Sequence, residues 1–323
     1  MIEVLFIPPG ATVQDLGRDG FWSQGLGRAG AMDPLAHRIA NMALGNDADA
    51  ATVEIALTPA RLLFPQGGAF ALAGAACGAR LAGRPLPPVW AGMAKAGEVL
   101  DLGPMTQGAR VYLALPGGID VPVVLGSRST QLREAFGGHE GRFLVAGDTL
   151  RARDPAAEPA ARDFSLTMPL LHDAGGGIVL RALPSTEHGD FSESARRAFW
   201  STGYTVTQQS NRQGYRLDGE TLDRPASGEL RSHGIGPGVV QVPGGGQPIV
   251  QLADSATMGG YPKIAAIIEP DLWRIGQARP GDVLHFRRVD LSEAAQAARD
   301  QQAWLDDLQM RIDDFRNRQK GWA

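Results

Sequence analysis

Hydrophobic residues along this chain gather in short blocks, rich in branched and aromatic side chains and closed off by glycine or proline. Ala69–Ala73, Val111–Leu115, Val121–Leu125, Gly177–Arg181, Ile249–Ala253 and Val283–Phe286 are of this kind. Each predicts a β-strand, because such residues suit a pleated, half-buried surface and turn formers bound it. A helical period is confined to a few stretches. From Pro34 to Leu44 it places Leu35, Ile39, Met42 and Ala43 on one face, with Asp33 as N-cap and Pro34 at the first position. A second stretch covers Ser192–Thr202. The third is the tail from Leu291 to Ala323, where Ala294, Ala297, Ala298, Trp304, Leu305, Leu308, Met310, Ile312 and Phe315 sit among Asp, Gln and Arg. It predicts a helix or helical hairpin, packed on its own domain or, alternatively, holding a second protomer.

The sequence Gly-acidic-x-Leu occurs at Gly97–Leu100, Gly147–Leu150 and Gly281–Leu284, each time leading into a short strand. By itself it reads as a common β-turn before a strand. The second and third copies nevertheless close two blocks that other evidence separates. Asp154–Arg162 is a Pro/Ala-rich, low-aromatic linker near the middle of the chain. The expected organisation is an N-terminal half over 1–155, a C-terminal half over 163–290 and a helical extension over 291–323.

Composition narrows the class. The 323 residues, 43% hydrophobic and 20% charged, are those of a globular protein with room for two domains. Glycine (42) and proline (22) together make about a fifth of the chain without a repeat period, which favours a turn-rich β protein. A net charge of −4 argues against a nucleic-acid surface, and no apolar run is long enough for a membrane span. The acidic, strand-like N-terminus lacks the features of a signal peptide, so a cytoplasmic location is expected. Cys77 is the single cysteine, which excludes an intrachain disulfide, and its small neighbours predict a buried residue.

Candidate chemistry concentrates at two glycine-rich segments. The first, Gln14–Asn46, carries Arg18, Arg28 and Arg38 with Asp15, Asp19 and Asp33 between them. Arginine clamps carboxylate or phosphate in a bidentate manner, while the neighbouring aspartates equally suit internal pairing. The second, Gln251–Lys263, contains Asp254, Gly259-Gly260 for a tight turn and Tyr261-Pro262 as a rigid flank. Lys263 projects from that corner and is suited to polarise a carbonyl; a surface lysine ending a strand is the plainer reading. Arg128, in Gly-Ser-Arg-Ser, and Arg212, after Asn211, occupy polar turns fit for anions. Glu54 lies inside a strand-like block and needs a partner, expected among the motif arginines. Gly117-Gly118 reads as a strand-end turn. No phosphate-cradling Gly-x-x-x-x-Gly-Lys loop, no Gly-x-Ser-x-Gly elbow, no biotin-carrying Met-Lys-Met and no zinc spacing among the six histidines is present.

The two glycine-rich segments, with Thr52–Pro59, Pro116–Pro122, Gly126–Thr130, Phe136–Arg142, Ser210–Arg216 and Ile268–Gln277 in order between and after them, resemble the carboxyltransferase-domain family. That family includes allophanate hydrolase subunit 2, the carboxyltransferase part of urea carboxylase, and the C component of 5-oxoprolinase, also described as the kinase-inhibitor antagonist KipA. The resemblance runs from about Met1 to Val289 and implies a mainly β fold of two cyclophilin-like barrel halves in tandem. The function it implies is that of one component of an ATP-dependent 5-oxoprolinase. It would work on a small amide with a subunit-1-like partner (KipI, the B component of 5-oxoprolinase) and with the A component of the same enzyme. Alternatives are carboxyl transfer to a urea-like substrate, with biotin supplied by another chain, and regulation by binding a kinase inhibitor. On this reading ATP belongs to the complex. Lys263, Tyr261 and Asp15 are the expected catalytic residues; Arg18, Arg28, Arg38, Arg128, Arg212, Asp254, Gly259 and Gly260 are expected to bind substrate or anions, and no metal is expected. Departures occur at Pro184–Asp190, at Gly74-Ala-Ala76 and in the loop before Gly259.

Overall fold

The computed structural model describes residues 1–56, 59–155, 163–173, 175–225 and 230–320. Most of the expected linker, and the last three residues of the tail, lie outside them. The chain forms two compact units: Met1–Arg18 with Ala29–Pro169 and Trp304–Ala323, and Asp19–Arg28 with Leu170–Ala303.

In the first unit the short blocks pair into two six-stranded sheets. One runs in the order Thr149–Leu150, Ile2–Phe6, Ala60–Phe64, Glu98–Leu102, Arg80–Leu81, Arg84–Pro85. The other runs Phe164–Ser165, Trp90–Ala94, Gly68–Ala76, Gln107–Ala114, Thr52–Ala56, Thr12–Gln14. Ile2, Val4, Leu62, Phe64 and Leu100 of the first share one core with Val13, Val53, Ile55, Phe70 and Leu113 of the second, and the Phe64 and Phe70 rings lie 4.7 Å apart. Helix α1, Pro34–Leu44, packs across the second sheet. It starts where the sequence placed it: Asp33 Oδ1 accepts a hydrogen bond from the Ala36 amide at 2.8 Å.

The second unit is built on a closed barrel in the order Ile178–Pro184, Lys263–Ile267, Val239–Gln241, Ile249–Gln251, Gly214–Asp218, Gly203–Val206, Val283–Arg288. Its neighbours are antiparallel except where Val283–Arg288 closes the ring in parallel on Ile178–Pro184. Ile178, Leu180, Tyr204, Val240, Val250, Ala265 and Leu284 are fully buried. Helix α2, Glu193–Ser201, is capped by the Ser192 hydroxyl and stacks Phe199 on Phe286 at 4.5 Å. A short helix, α3, spans Leu272–Gly276. The mainly β class is as expected, with barrel closure in the second unit. The tail is one continuous helix, α4, Leu291–Lys320, and not a hairpin, since nothing in its sequence breaks the period. Its Ala297 packs with Ile268 and Val289 in the second unit, and its Phe315 meets Phe164 at 5.1 Å in the first.

The repeated Gly-acidic-x-Leu is one turn used three times. Gly97, Gly147 and Gly281 all have positive φ, and each donates its amide, at 2.8 Å, to a neighbouring strand, at Phe64, Val4 and Val206. The acidic side chain that follows accepts the amide three residues back: Lys95 to Glu98, Val145 to Asp148, Arg279 to Asp282, all at 2.8 Å. The ordinary turn reading therefore holds. One expected strand does not form. Val121–Leu125 turns sharply, with Leu125 (φ 50°) and Gly126 (φ 77°) at the tip and mutual amide–carbonyl bonds between Val124 and Ser127. Pro122 has no amide to give a ladder, and two consecutive left-handed residues make a tight hairpin tip.

Candidate functional site

The expected site residues fall into two sets, one in each unit. In the first, Asp15 follows the strand Thr12–Gln14 and is buried. Its Oδ1 accepts from the hydroxyls of Ser127 (2.7 Å) and Ser129 (2.5 Å) and from the Gly17 amide (2.8 Å). Its Oδ2 accepts from the Arg128 amide. Burial pushes the carboxyl pKa up, but the Ser129 and Ser127 hydroxyls and the two amides outweigh it and hold the group below its usual range. Asp15 is thus the node joining Leu16–Arg18 to Ser127–Ser129, an arrangement that uses its oxygens for structure.

Arg18 is 1% exposed: its guanidinium donates to the Ser129 carbonyl at 2.6 Å and lies over the Phe136 ring at 4.9 Å. The Phe136–Arg142 motif supplies this close fit. A Cβ at Gly137 would strike the Ser129 carbonyl, and one at Gly138 (φ 53°) would strike the Thr130 side chain. Arg128 donates its Nε to the Val121 carbonyl at 3.2 Å and stays half-buried. Arg38, on α1, is also half-buried and makes no ion pair among the described residues. The strand residue Glu54 is fully buried; its Oε2 accepts from the Tyr112 hydroxyl (2.6 Å) and the Met32 amide (2.9 Å), and its Oε1 faces Arg110 at 3.5 Å. The ion-pair partner found is therefore a neighbouring-strand arginine, where a motif arginine had been expected. Beside it, His37 is buried at 2.9 Å from the Thr52 hydroxyl, and burial lowers its pKa to about 4, so the ring is neutral.

The second unit holds the other set. Arg28 pairs with Asp19 at 3.2 Å on the surface. Arg212 and Asp254 are both buried and grip each other through two hydrogen bonds of 2.9 Å, so the anion on Arg212 is internal. Lys263 begins a barrel strand, and its Nζ lies 3.4 Å from Glu187 Oε2, which also accepts the Lys263 amide at 3.2 Å. Burial pushes the Glu187 carboxyl up, but the Thr186 hydroxyl and the Lys263 amide and ammonium hold it below its usual range. A bulge puts Lys263 opposite Gln241. The Gln241 Nε2 donates to the Tyr261 carbonyl at 3.2 Å, and its Oε1 accepts from Gln251 Nε2 at 3.0 Å. Gly259 leaves room for Gln241, since a Cβ there would approach the Gln241 amide to 2.8 Å. Gly260 likewise runs close to the Leu230 carbonyl, at 2.7 Å for a Cβ. The Tyr261 side chain is 38% exposed.

Sequence reasoning missed Ser127, Ser129, Phe136, Glu187, Gln241 and Gln251. The two serines flank Arg128 at a spacing of two, which in extended chain puts both hydroxyls on one face toward Asp15. Glu187 lies in the turn between the barrel strand Ile178–Pro184 and the short helical turn His188–Asp190. Cys77 is buried as expected, and burial raises its thiol pKa to about 11, which leaves it inert. Among the described residues no helix is long and apolar enough to cross a membrane.

A mainly β chain with these glycine-built loops belongs to the carboxyltransferase domain family: the model of that domain, subdomains A and B, matches residues 24–288. The chain is 44% identical over 312 residues to the C component of 5-oxoprolinase from Escherichia coli (strain K12), covering 97% of this chain and 99% of that protein. Among solved structures, TTHA0988 is similar with a TM-score of 0.78 and 35% identity over 88% of this chain, which spans 55% of the length of TTHA0988. The K. lactis urea amidolyase is similar with a TM-score of 0.85 and 29% identity; the match covers 97% of this chain and 20% of that enzyme.

Proposed function

We propose that this chain is the C component of a 5-oxoprolinase, opening the lactam of 5-oxoproline to glutamate at the expense of ATP together with a subunit-1-like partner and a third protein. The observation that carries this reading is the end-to-end similarity to the C component of the E. coli 5-oxoprolinase, which leaves no large part of either chain unmatched. The geometry agrees with work on an amide. Opening the ring adds water to the carbonyl carbon and breaks the C–N bond, and negative charge builds on the carbonyl oxygen meanwhile. The Lys263 ammonium, 3.4 Å from Glu187 Oε2, supplies a cation for that oxygen, with the exposed Tyr261 two residues before it. Arg38 and Arg128 retain capacity for anionic groups; Arg28 is solvent-facing, while Arg18, Arg212, Asp254 and Asp15 hold the loops. Gly259 and Gly260 admit close backbone packing around Gln241. ATP acts at the assembled complex, and the chain alone is inactive.

The experiment mixes the chain with its partner proteins and follows ATP-dependent glutamate release from 5-oxoproline, omitting each component in turn. Turnover that requires this chain supports the reading; turnover without it refutes it. A second reading, carboxyl transfer to a urea-like nitrogen with biotin brought by another chain, is favoured by the K. lactis urea amidolyase match. Release of carboxylated urea that depends on a biotinylated carrier would establish it.

A further inference from the structure

The lactam reading gives the carbonyl oxygen a cation but leaves the attacking water without a group to take its proton. The motif carboxylates do not serve. Asp15 has four donors on its two oxygens, and Asp254 is closed in its bidentate pair with Arg212. His188 offers no lone pair either, because its Nε2 accepts from the Trp200 indole at 3.1 Å. Glu187, which neither glycine-rich motif contains, stands differently. Its Oε2 lies 3.4 Å from the Lys263 ammonium, with the two side chains 17% and 13% exposed. The same oxygen takes the Lys263 amide at 3.2 Å, and Oε1 takes the Thr186 hydroxyl at 2.7 Å. The turn that carries Glu187 is tied down on either side of it. The Ser185 amide donates to the Ile264 carbonyl at 3.1 Å, and His188 is held by Trp200 of α2. A carboxylate has about four acceptor positions, and the Thr186 hydroxyl with the Lys263 amide and ammonium takes all but one. The open position is on Oε1, whose present donor, Thr186, is exposed.

We infer that Glu187 is the general base of the ring opening, acting on the water while Lys263 holds the carbonyl oxygen. This rests on the lactam reading above and deepens it. With that oxygen about 2.9 Å from Nζ, the carbonyl carbon stands about 4 Å from the same nitrogen, and one water spans the gap to Glu187. Glu187 takes a proton from this water as the water oxygen bonds to the carbonyl carbon. The π pair of the carbonyl moves onto its oxygen, where the ammonium stabilises it. When the C–N bond breaks, its electron pair stays on nitrogen and the proton held by Glu187 passes to it. The carboxylate is thereby restored, and the ring ends as a carboxyl group and an amine. Burial raises the Glu187 pKa, but the Thr186 hydroxyl and Lys263 hold it below the usual range, so the basic form is present at neutral pH.

The reconstituted complex is assayed with wild type and with Glu187→Gln, which keeps an acceptor for the Lys263 amide but cannot take a proton. Water and hydroxylamine are compared as nucleophiles on 5-oxoproline, giving glutamate and its γ-hydroxamate. Hydroxylamine attacks through a neutral nitrogen lone pair, so it needs no base for that step. Glu187→Gln should lower kcat for hydrolysis about 100-fold or more, with KM within about threefold of wild type, and should lower the hydroxylamine reaction less than about tenfold. A role confined to holding Lys263 would depress both reactions alike. An equal loss in both, or hydrolysis within about tenfold of wild type, overturns the inference and leaves the lactamase reading standing. Absence of wild-type turnover with every partner bound refutes that reading, and the assignment of Glu187 with it.

Discussion

Replacing Asp15 by Asn tests whether this carboxylate is a structural node or a catalytic group. Four donors converge on it, three on Oδ1 and one on Oδ2. The best placed asparagine keeps its oxygen toward Ser127, Ser129 and Gly17 and turns its NH₂ toward the Arg128 amide, a donor facing a donor. One charge-assisted bond is lost, worth about 1.5–3 kcal/mol, and the other three weaken as the acceptor becomes neutral. Hydroxyl rotation recovers a part, so the expected loss is about 3 kcal/mol. Two units make a single global transition unsuitable, and the assay is hydrogen exchange of the amides at 14–18 and 127–130. Their protection should fall by about two orders of magnitude, with activity lost in consequence. The pH dependence adds a check. The folded pKa lies below that of the unfolded chain, so the contribution of Asp15 is present above about pH 4 and vanishes as pH falls through the folded value; the asparagine variant lacks this component. Unchanged protection with abolished turnover would refute the structural assignment and make Asp15 catalytic.

Lys263→Ala should abolish turnover while costing about 1–3 kcal/mol, read as hydrogen exchange of the barrel amides, because the mostly buried Glu187 carboxylate keeps the Thr186 hydroxyl and the backbone amide at 263 but loses the ammonium; wild-type activity would sink the proposed role. Gly138→Ala combines a positive φ with a clash on Thr130, and is expected to cost about 2–4 kcal/mol, read as lost hydrogen-exchange protection around 127–138 or as a fall in soluble yield. His37 is neutral when folded, with a pKa of about 4 against about 6.5 unfolded. Its contribution is full above pH 6.5 and declines as pH falls toward 4, by about 3 kcal/mol in all. His37→Gln should flatten that part of the stability profile; an unchanged slope between about pH 6.5 and 4 would refute the burial argument.

The helices were legible in the sequence because their signals are local. Asp33-Pro34 and Ser192 cap α1 and α2 as the first-turn rules require, and the uninterrupted period of the tail yields one helix. Strand blocks were legible too, except at Val121–Leu125, where branched residues suggested a ladder and a left-handed tip won. Partner choice was not legible. Ser127 and Ser129 come from 112 and 114 residues away to meet Asp15, Arg110 meets Glu54 across a strand pair, and Asp254 meets Arg212 over 42 residues. Periodicity reports which face a side chain takes, not which strand lies beside it, so a charge in the sequence looks equally available to a ligand or a neighbour.

That ambiguity explains why the most conspicuous motif is not where reactivity is best sought. A buried charge must be matched within the protein or it destabilises the fold. Asp15, Arg18, Glu54, Arg212 and Asp254 are all buried, and each is shown with internal partners at hydrogen-bonding range. A group that handles substrate needs the opposite balance: enough support to fix its position, and capacity left over. Lys263 has three donors, one facing Glu187 at 3.4 Å, longer than the 2.9 Å bonds that lock Arg212 to Asp254. On the proposed reading, a substrate oxygen would compete for the ammonium with a single carboxylate oxygen at that longer range. At Arg212 it would have to displace a dry, bidentate partner.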